Sequence, residues 1–403
     1  MRTVAANVPK LYLIKFFKWF LLYMPVIVLF YMDNGLSIVQ VMTIQAVYSI
    51  CMALFELPSG YFSDVLGRRL TLILGMGLNF VGIMLLSFSY GFWAFAGSAV
   101  IVGLGASFIS GTDSAMLYDS LLQMGKEKKY LKLEGRTYSI GTFAEAIAAI
   151  FGGWIAASLG YRFAVECQVF IAFLGVIVAL TLVEPKVYIS SEAKESSGFE
   201  RIKAILEFTF RKGSLLKWYI IISAFTGSAT LMMAWFAQPF FKAIDLSDGV
   251  IGILWSALNL TVAFFSFYAY KIMAVTKRNK ILAGLTLGIA LGFLALSFFQ
   301  SLYGLVFVFI IYVLRGIAVP VMKDFINIHT PSEMRATVLS IRGFIIRMTF
   351  AGLAPLFGWV TDVYSLSQAF LVAAISFMVL NGIALLFIFT FPNPEKNEKT
   401  LVA

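Results

Sequence analysis

A chain of 403 residues in which 60% are hydrophobic and 13% charged cannot cover itself with polar surface, which excludes a soluble globular fold and points to a many-helix integral membrane protein. The formal net charge of +10 does not indicate nucleic acid, because Lys and Arg gather in short stretches between apolar runs, as they do in cytoplasmic loops. Two cysteines, Cys51 and Cys167, both inside apolar runs, exclude a disulfide framework and read as small core residues.

The opening stretch MRTVAANVPKLYLIKFFKWFLLYMPVIVLF starts basic, but its apolar run is too long for a signal peptide and no small-residue cleavage site follows it. It predicts a first membrane helix over 10–32. Windows of about 20 apolar residues then predict helices over 37–62, 69–89, 92–121, 136–158 and 162–184. The one long polar segment, EPKVYISSEAKESSGFERIKAILEFTFRKGSLLK, comes next, and six further helices are predicted over 217–241, 248–271, 280–300, 302–326, 335–361 and 365–391. The expected fold is all-α, twelve transmembrane helices in two pseudo-symmetric six-helix bundles over 1–184 and 217–391. A linker over 185–216 joins them, and a tail over 392–403 ends the chain. FERIKAILEFTFRK in the linker predicts an amphipathic helix lying along the membrane surface.

The halves echo one another. GRTYSIGTFAEAIAAIFGGW opens the fifth predicted helix and MRATVLSIRGFIIRMTFAGLAPLFGW the eleventh, about 200 residues later, each running from an Arg through Ser-Ile to Gly-Trp. Repetition at half the chain length is what a transporter built from two like bundles shows. The connections MDNGLS, SYGF, LGYR and DVYSLS carry almost no Lys or Arg, Arg162 and Lys242 aside, whereas GKEKKYLKLEGR, TKRNK and TPSEMR are basic. The expected topology therefore has both termini cytoplasmic.

Between the second and third helices lies GYFSDVLGRRLTL. Gly60 would let another backbone come close, Gly67 supplies a tight turn, Arg68 and Arg69 sit at the cytoplasmic interface, and Asp64 can cap the positive N-terminus of a neighbouring helix. Such a cluster is expected to gate the contact between two bundles, with Glu56, Asp113 and Asp119 as the candidate partners of the two arginines.

This stretch resembles the signature loop of the major facilitator superfamily, with Gly60, Asp64, Gly67, Arg68, Arg69 and Leu72 in the family's places and Val65 where a basic residue is usual. The resemblance extends over essentially the whole chain through the six-plus-six organisation and the central polar segment. Motifs of the drug:proton antiporter branch are incomplete. The fifth helix keeps small residues at Gly135, Ala144, Ala148, Ala149, Gly152 and Gly153 without the branch's proline, and the fourth keeps Gly103 and Gly105 but has Ala99 in place of an Arg. The resemblance implies a permease whose third, sixth, ninth and twelfth helices face lipid while the others line a central cavity.

An ionisable group deep in the membrane costs about 2.5–3.5 kcal/mol on insertion scales, so its retention has a reason. Counting from the predicted helix ends, the deepest are Glu145, Asp113, Arg315, Arg342 and Arg347, with Lys18 and Glu56 shallower. Lys15 and Lys18 are expected to snorkel toward the interface. Arg342 and Arg347 lie about 140° apart around a helix, so both cannot face one cavity. Glu145 and Asp113 are the proton-coupling candidates, since burial makes a carboxylate easier to protonate. Arg315, Arg347, Arg342, Glu56 and Lys18, with Trp235, Gln238, Asn259 and Tyr312, are the substrate-cavity candidates. The single histidine, His329, reads as a solvated loop residue.

The expected function is secondary active transport by alternating access, with proton-coupled efflux of an amphipathic or anionic compound as the leading reading. The alternatives are proton-coupled import of an organic anion and a non-transporting receptor on the same scaffold. No reactive constellation suggests an enzyme and no phosphate loop suggests ATP. No cofactor is expected, and the coupling ion is H+. The expected partners are the bilayer and a small-molecule substrate, not nucleic acid, for a monomer in the bacterial inner membrane.

Overall fold

The computed structural model describes residues 4–186, 198–210, 215–331 and 334–390. Among the described residues, twelve segments are long and apolar enough to cross a membrane. Numbered in chain order, spans 1 to 6 are Val4–Asp33, Ile38–Glu56, Arg68–Phe88, Gly91–Gln123, Glu127–Leu159 and Tyr161–Leu180. Spans 7 to 12 are Leu215–Ala243, Asp248–Val275, Arg278–Phe298, Gly304–Ile328, Thr337–Val363 and Leu366–Thr390. Much of the linker and the whole predicted tail lie outside the described residues.

Two spans are not the continuous helices that their hydropathy predicts. Span 1 is helical over Asn7–Trp19 and Ile27–Asp33, with a 3-10 turn, Met24–Val26, between them. Pro25 in that turn has no N–H to give to a helix. Span 4 is helical over Gly91–Ile109 and Thr112–Gln123, and it breaks at Gly111, whose φ of 78° is open to glycine and strained for most other residues. Span 5 begins earlier than predicted, its main helix running Tyr130–Leu159. An apolar window reports membrane depth and is blind to an interruption of a few residues.

Spans 1 to 6 pack on one another, as do spans 7 to 12, and the two sets meet chiefly where span 2 lies against span 11 and span 5 against span 8. These pairings exchange under a shift of six spans, so the repeat in spans 5 and 11 places like sequences at like positions in the interface. One end of the molecule carries the described start of the chain and the basic connections; it is called here the basic end, and the opposite one the far end. At the far end the sets close tightly. A Cβ on Gly153 would come within 2.7 Å of the Gly252 Cα, and one on Gly358 within 2.7 Å of the Val39 Cα, so backbone meets backbone there, as small residues permit. Asp362 of span 11 accepts hydrogen bonds from Ile38 N at 3.0 Å and Val39 N at 2.8 Å, satisfying donors that the first turn of span 2 leaves unpaired. Tyr161 donates to Asp248 Oδ1 at 3.0 Å.

The connecting helix Gly198–Phe210 buries Ile205 against the second set of spans, in a cluster with Tyr219 and Phe325. Leu206 and Phe208 on it are exposed.

Candidate functional site

The intramembrane charges converge on the boundary between the two sets. Lys15 Nζ of span 1 lies 2.8 Å from Asp113 Oδ2 of span 4. Arg347 Nη1 of span 11 lies 2.7 Å from Glu56 Oε2 of span 2. Lys18 sits among these pairs, close enough to interact electrostatically with Asp113, Lys15, Arg347 and Glu56. Lys15 therefore turns inward to a carboxylate and does not snorkel, because a salt bridge offered one helical turn from Trp19 outweighs a stretched side chain reaching for water. Asp113 is its partner and not that of Arg68 or Arg69.

A second group lies on spans 5, 8 and 10. Glu145 Oε1 accepts from Asn259 Nδ2 at 3.2 Å, a contact that joins the two sets. Arg315 is within electrostatic reach of Glu145; it donates from Nη1 to Thr230 O at 3.2 Å, and its Cζ stands 5.8 Å from the Tyr312 ring centroid. Trp255 is also beside Glu145, its indole N–H buried. The other candidate arginine of span 11, Arg342, turns away to Ser223 Oγ of span 7, so the two arginines do face different neighbours.

Behind the break in span 1 is a chamber of about 150 Å³, walled by Tyr23, Tyr31, Tyr48 and Trp235 with Gln45 and Ser98. The break itself is held by two buried amides. Gln238 Oε1 accepts from Val28 N at 2.8 Å while its Nε2 donates to Met24 O at 2.9 Å, and Gln168 Oε1 accepts from Leu22 N at 2.8 Å. With no water in the hydrocarbon, a broken helix needs such partners. Gln238, expected to line the cavity, is fully buried and clamps backbone instead. Tyr312 is likewise buried beneath Arg315. Trp235, Asn259, Lys18 and Glu56 are partly exposed.

The loop after span 2 is assembled differently from its expected form. Gly67 makes the turn with φ of 93°. Arg68 Nε meets Asp119 Oδ2 at 3.1 Å, and its Nη1 meets Asp64 Oδ1 at 2.6 Å. The helix N-terminus is capped by Glu184 and not by Asp64: its carboxylate accepts from Arg68 N at 2.7 Å and Arg69 N at 2.6 Å. A Cβ at Gly67 would come within 2.9 Å of that carboxylate. Asp64 is 60% exposed and a Cβ on Gly60 would meet no neighbouring element within 4 Å, so the close approach expected at Gly60 is not made. The contacts of this cluster all fall within the first set of spans.

His329 is the C-cap of the span 10 helix, with Nδ1 2.8 Å from Phe325 O and its ring 5.1 Å from that of Tyr219. It is half-buried, not the solvated loop residue its sequence position suggests. Lys15, Glu184, Asp362, Gln168 and Trp255 were not singled out in the sequence as site or gate residues. For Gln168 the signal was present, an amide inside the apolar run FAVECQVFIAF. For Asp362 it was not, since an acid at a span end reads as an ordinary loop anchor.

The family model described as Major Facilitator Superfamily matches residues 11–348. A curated relative, the uncharacterized MFS-type transporter YxaM of Bacillus subtilis (strain 168), is 21% identical over 370 residues, covering 89% of this chain and 90% of that protein. Among solved structures, the nucleoside transporter NupG superposes with a TM-score of 0.78 at 12% identity, over 96% of this chain and 100% of that one. The D-xylose-proton symporter superposes with a TM-score of 0.74 at 17% identity, over 97% and 98% of the two chains. A bacterial homolog to the human lysosomal transporter Spinster, in an inward-facing and unoccupied conformation, gives a TM-score of 0.75 at 16% identity, over 96% of each chain. At these identities the solved structures speak for the fold, and the family match speaks for the chain: it belongs to the major facilitator superfamily and is a secondary transporter.

Proposed function

We propose that this transporter is proton-coupled and exports an amphipathic organic anion, with Glu145 as the proton carrier. The observation that carries the reading is the hydrogen bond between Glu145 and Asn259 across the two sets of spans, with Arg315 in electrostatic reach. Protonating Glu145 cancels the charge that attracts Arg315 and weakens the bond to Asn259, so proton occupancy and the contact between the bundles become linked, as alternating access requires. Asp113 is the other carboxylate candidate, but Lys15 already holds it as a salt bridge, and in this reading it balances charge. Proton coupling is also named for the D-xylose-proton symporter, which shares the fold.

The basic end is taken as cytoplasmic, by the bias of Lys and Arg toward that side, in a bacterial inner membrane and with the protein acting as a monomer. The closed far end then makes the present state inward-facing. Arg315 and Arg347 lend the interface its preference for an anion, and the small residues of span 5 that pack on span 8 support export. No cofactor is needed beyond the coupling ion.

Proteoliposomes with a trapped pH-sensitive dye test the reading. Imposed substrate gradients are expected to drive protons in the opposite direction, and Glu145→Gln is expected to abolish proton movement while leaving substrate exchange. Proton movement in the same direction as substrate would replace export by import. A full proton response in Glu145→Gln would remove Glu145 from the role.

A further inference from the structure

We propose that the site takes a small aromatic monoanion, its carboxylate on Lys18 with Arg347 beside it and its ring in the chamber behind the break in span 1. The inference rests on reading the boundary between the bundles as the transport site, and it names the class of substrate.

Charge selects the head group. Lys15 is neutralised by Asp113 and Arg347 by Glu56, whereas Lys18 makes no ion pair and no hydrogen bond among the described residues. A cation only partly in contact with water and without a partner carries part of the cost of burying a charge, and the cluster of three cations and two carboxylates is one negative charge short. One carboxylate completes it; a dianion would overshoot.

Shape and surface select the rest. The chamber of about 150 Å³ is of the size that a single benzene ring fills. Four of its walls, Tyr23, Tyr31, Tyr48 and Trp235, are aromatic and offer faces and edges to a planar ring. The side chains of Tyr23, Tyr31, Tyr48 and Gln45 make no hydrogen bond among the described residues, leaving donors and acceptors for a polar ring substituent. The cations neighbour the chamber: Tyr48 lies in the electrostatic range of Arg347, Arg347 in that of Lys18, and Leu21, three residues beyond Lys18 in the chain, lines the chamber.

The probe is 4-hydroxybenzoate, titrated calorimetrically into the full-length protein in nanodiscs, with hexanoate as an aliphatic anion and 4-hydroxybenzyl alcohol as a neutral aromatic. The expected result is 4-hydroxybenzoate binding at least about tenfold tighter than either control, since each lacks one of the two recognised features. Lys18→Gln is expected to weaken 4-hydroxybenzoate about 10- to 100-fold, the range for losing one charged hydrogen bond, and to leave the alcohol unchanged. Tyr48→Leu is expected to weaken 4-hydroxybenzoate and not hexanoate. Melting curves of both variants separate loss of a contact from loss of the fold. Equal affinity for hexanoate and 4-hydroxybenzoate, indifference to Lys18→Gln, or no binding at millimolar concentration by protein that moves another solute with protons would each overturn the inference and leave the transport reading intact. Lys18-dependent binding without any linked proton movement would instead sustain the inference and overturn the proton coupling.

Discussion

Glu56 and Arg347 form an ion pair of 2.7 Å between spans 2 and 11, with side chains 21% and 23% exposed, so a charged contact ties the bundles together on the basic side of their tightest packing. Glu56→Gln leaves Arg347 without its counter-charge. A charged hydrogen bond is worth about 1.5–3 kcal/mol, and partial exposure cuts this to about 1 kcal/mol. The expected outcome is a roughly fivefold fall in the ratio of the joined to the separated state, read as a growing share of longer distances between spin labels on spans 2 and 11. Exchanging the charges, Glu56→Arg with Arg347→Glu, is expected to restore the short distance and to give a coupling energy within the usual range of about 0.5–3 kcal/mol in a double-mutant cycle. Unchanged distance distributions in Glu56→Gln would show that backbone packing alone holds this level.

Two acids at opposite ends of the molecule are expected to behave unequally. Asp362 accepts two backbone N–H groups of the other bundle, so Asp362→Ala removes a far-end latch and exposes two donors, at about 1–2 kcal/mol for a lost cap. Asp64 is mostly exposed and pairs with Arg68 across the Gly67 turn, where an exposed ion pair contributes about 0.2–1 kcal/mol. Labelling of single cysteines is expected to rise at the far end in Asp362→Ala and to change little in Asp64→Asn starting from this state. A larger shift from Asp64→Asn than from Asp362→Ala would reverse the assignment of which contacts hold this conformation.

The twelve spans and their grouping were legible because membrane burial writes itself as length and hydropathy, and the positions of Glu145, Arg315 and Arg347 were legible because a charge in an apolar run stands out. Pairing was not. Asp113 with Lys15, and Glu184 on the N-terminus of span 3, depend on how helices rotate and cross, which a periodicity near 3.6 residues fixes only loosely. The breaks in spans 1 and 4 were hidden for a different reason. Their signals are one proline and one glycine, and the amides that make the first break tolerable, Gln168 and Gln238, lie 146 and 210 residues away from the backbone groups they serve. Gln238 looked like cavity lining for the same polarity that makes it a backbone clamp.

That clamp gives a graded stability test. Gln238→Leu keeps the volume but strips Val28 N and Met24 O of their partner, and each buried backbone group left unpaired costs about 1–3 kcal/mol. Gln168→Leu strips only Leu22 N. Thermal unfolding in detergent is expected to place Gln238→Leu below Gln168→Leu and both below the parent. Equal melting temperatures for all three would mean that the segment between Trp19 and Ile27 is not held by these amides.

His329 supplies the pH prediction, and as the only histidine of the chain it can be followed alone. Burial pushes its imidazole below the usual value, and the positive charge of Arg278 pushes the same way, against the hydrogen bond to Phe325 O. A base harder to protonate when folded contributes stability that is complete above its unfolded pKa of about 6.5 and is lost as pH falls through the interval down to the folded value. The imidazole resonance is therefore expected to titrate with a midpoint below 6.5, and acid destabilisation in that interval is expected to diminish in His329→Gln. A midpoint at or above 6.5 would contradict the half-buried packing against Tyr219. The same variant bears on transport: a transport response to pH centred between 7 and 8 is expected to survive in His329→Gln, since the folded imidazole titrates below 6.5.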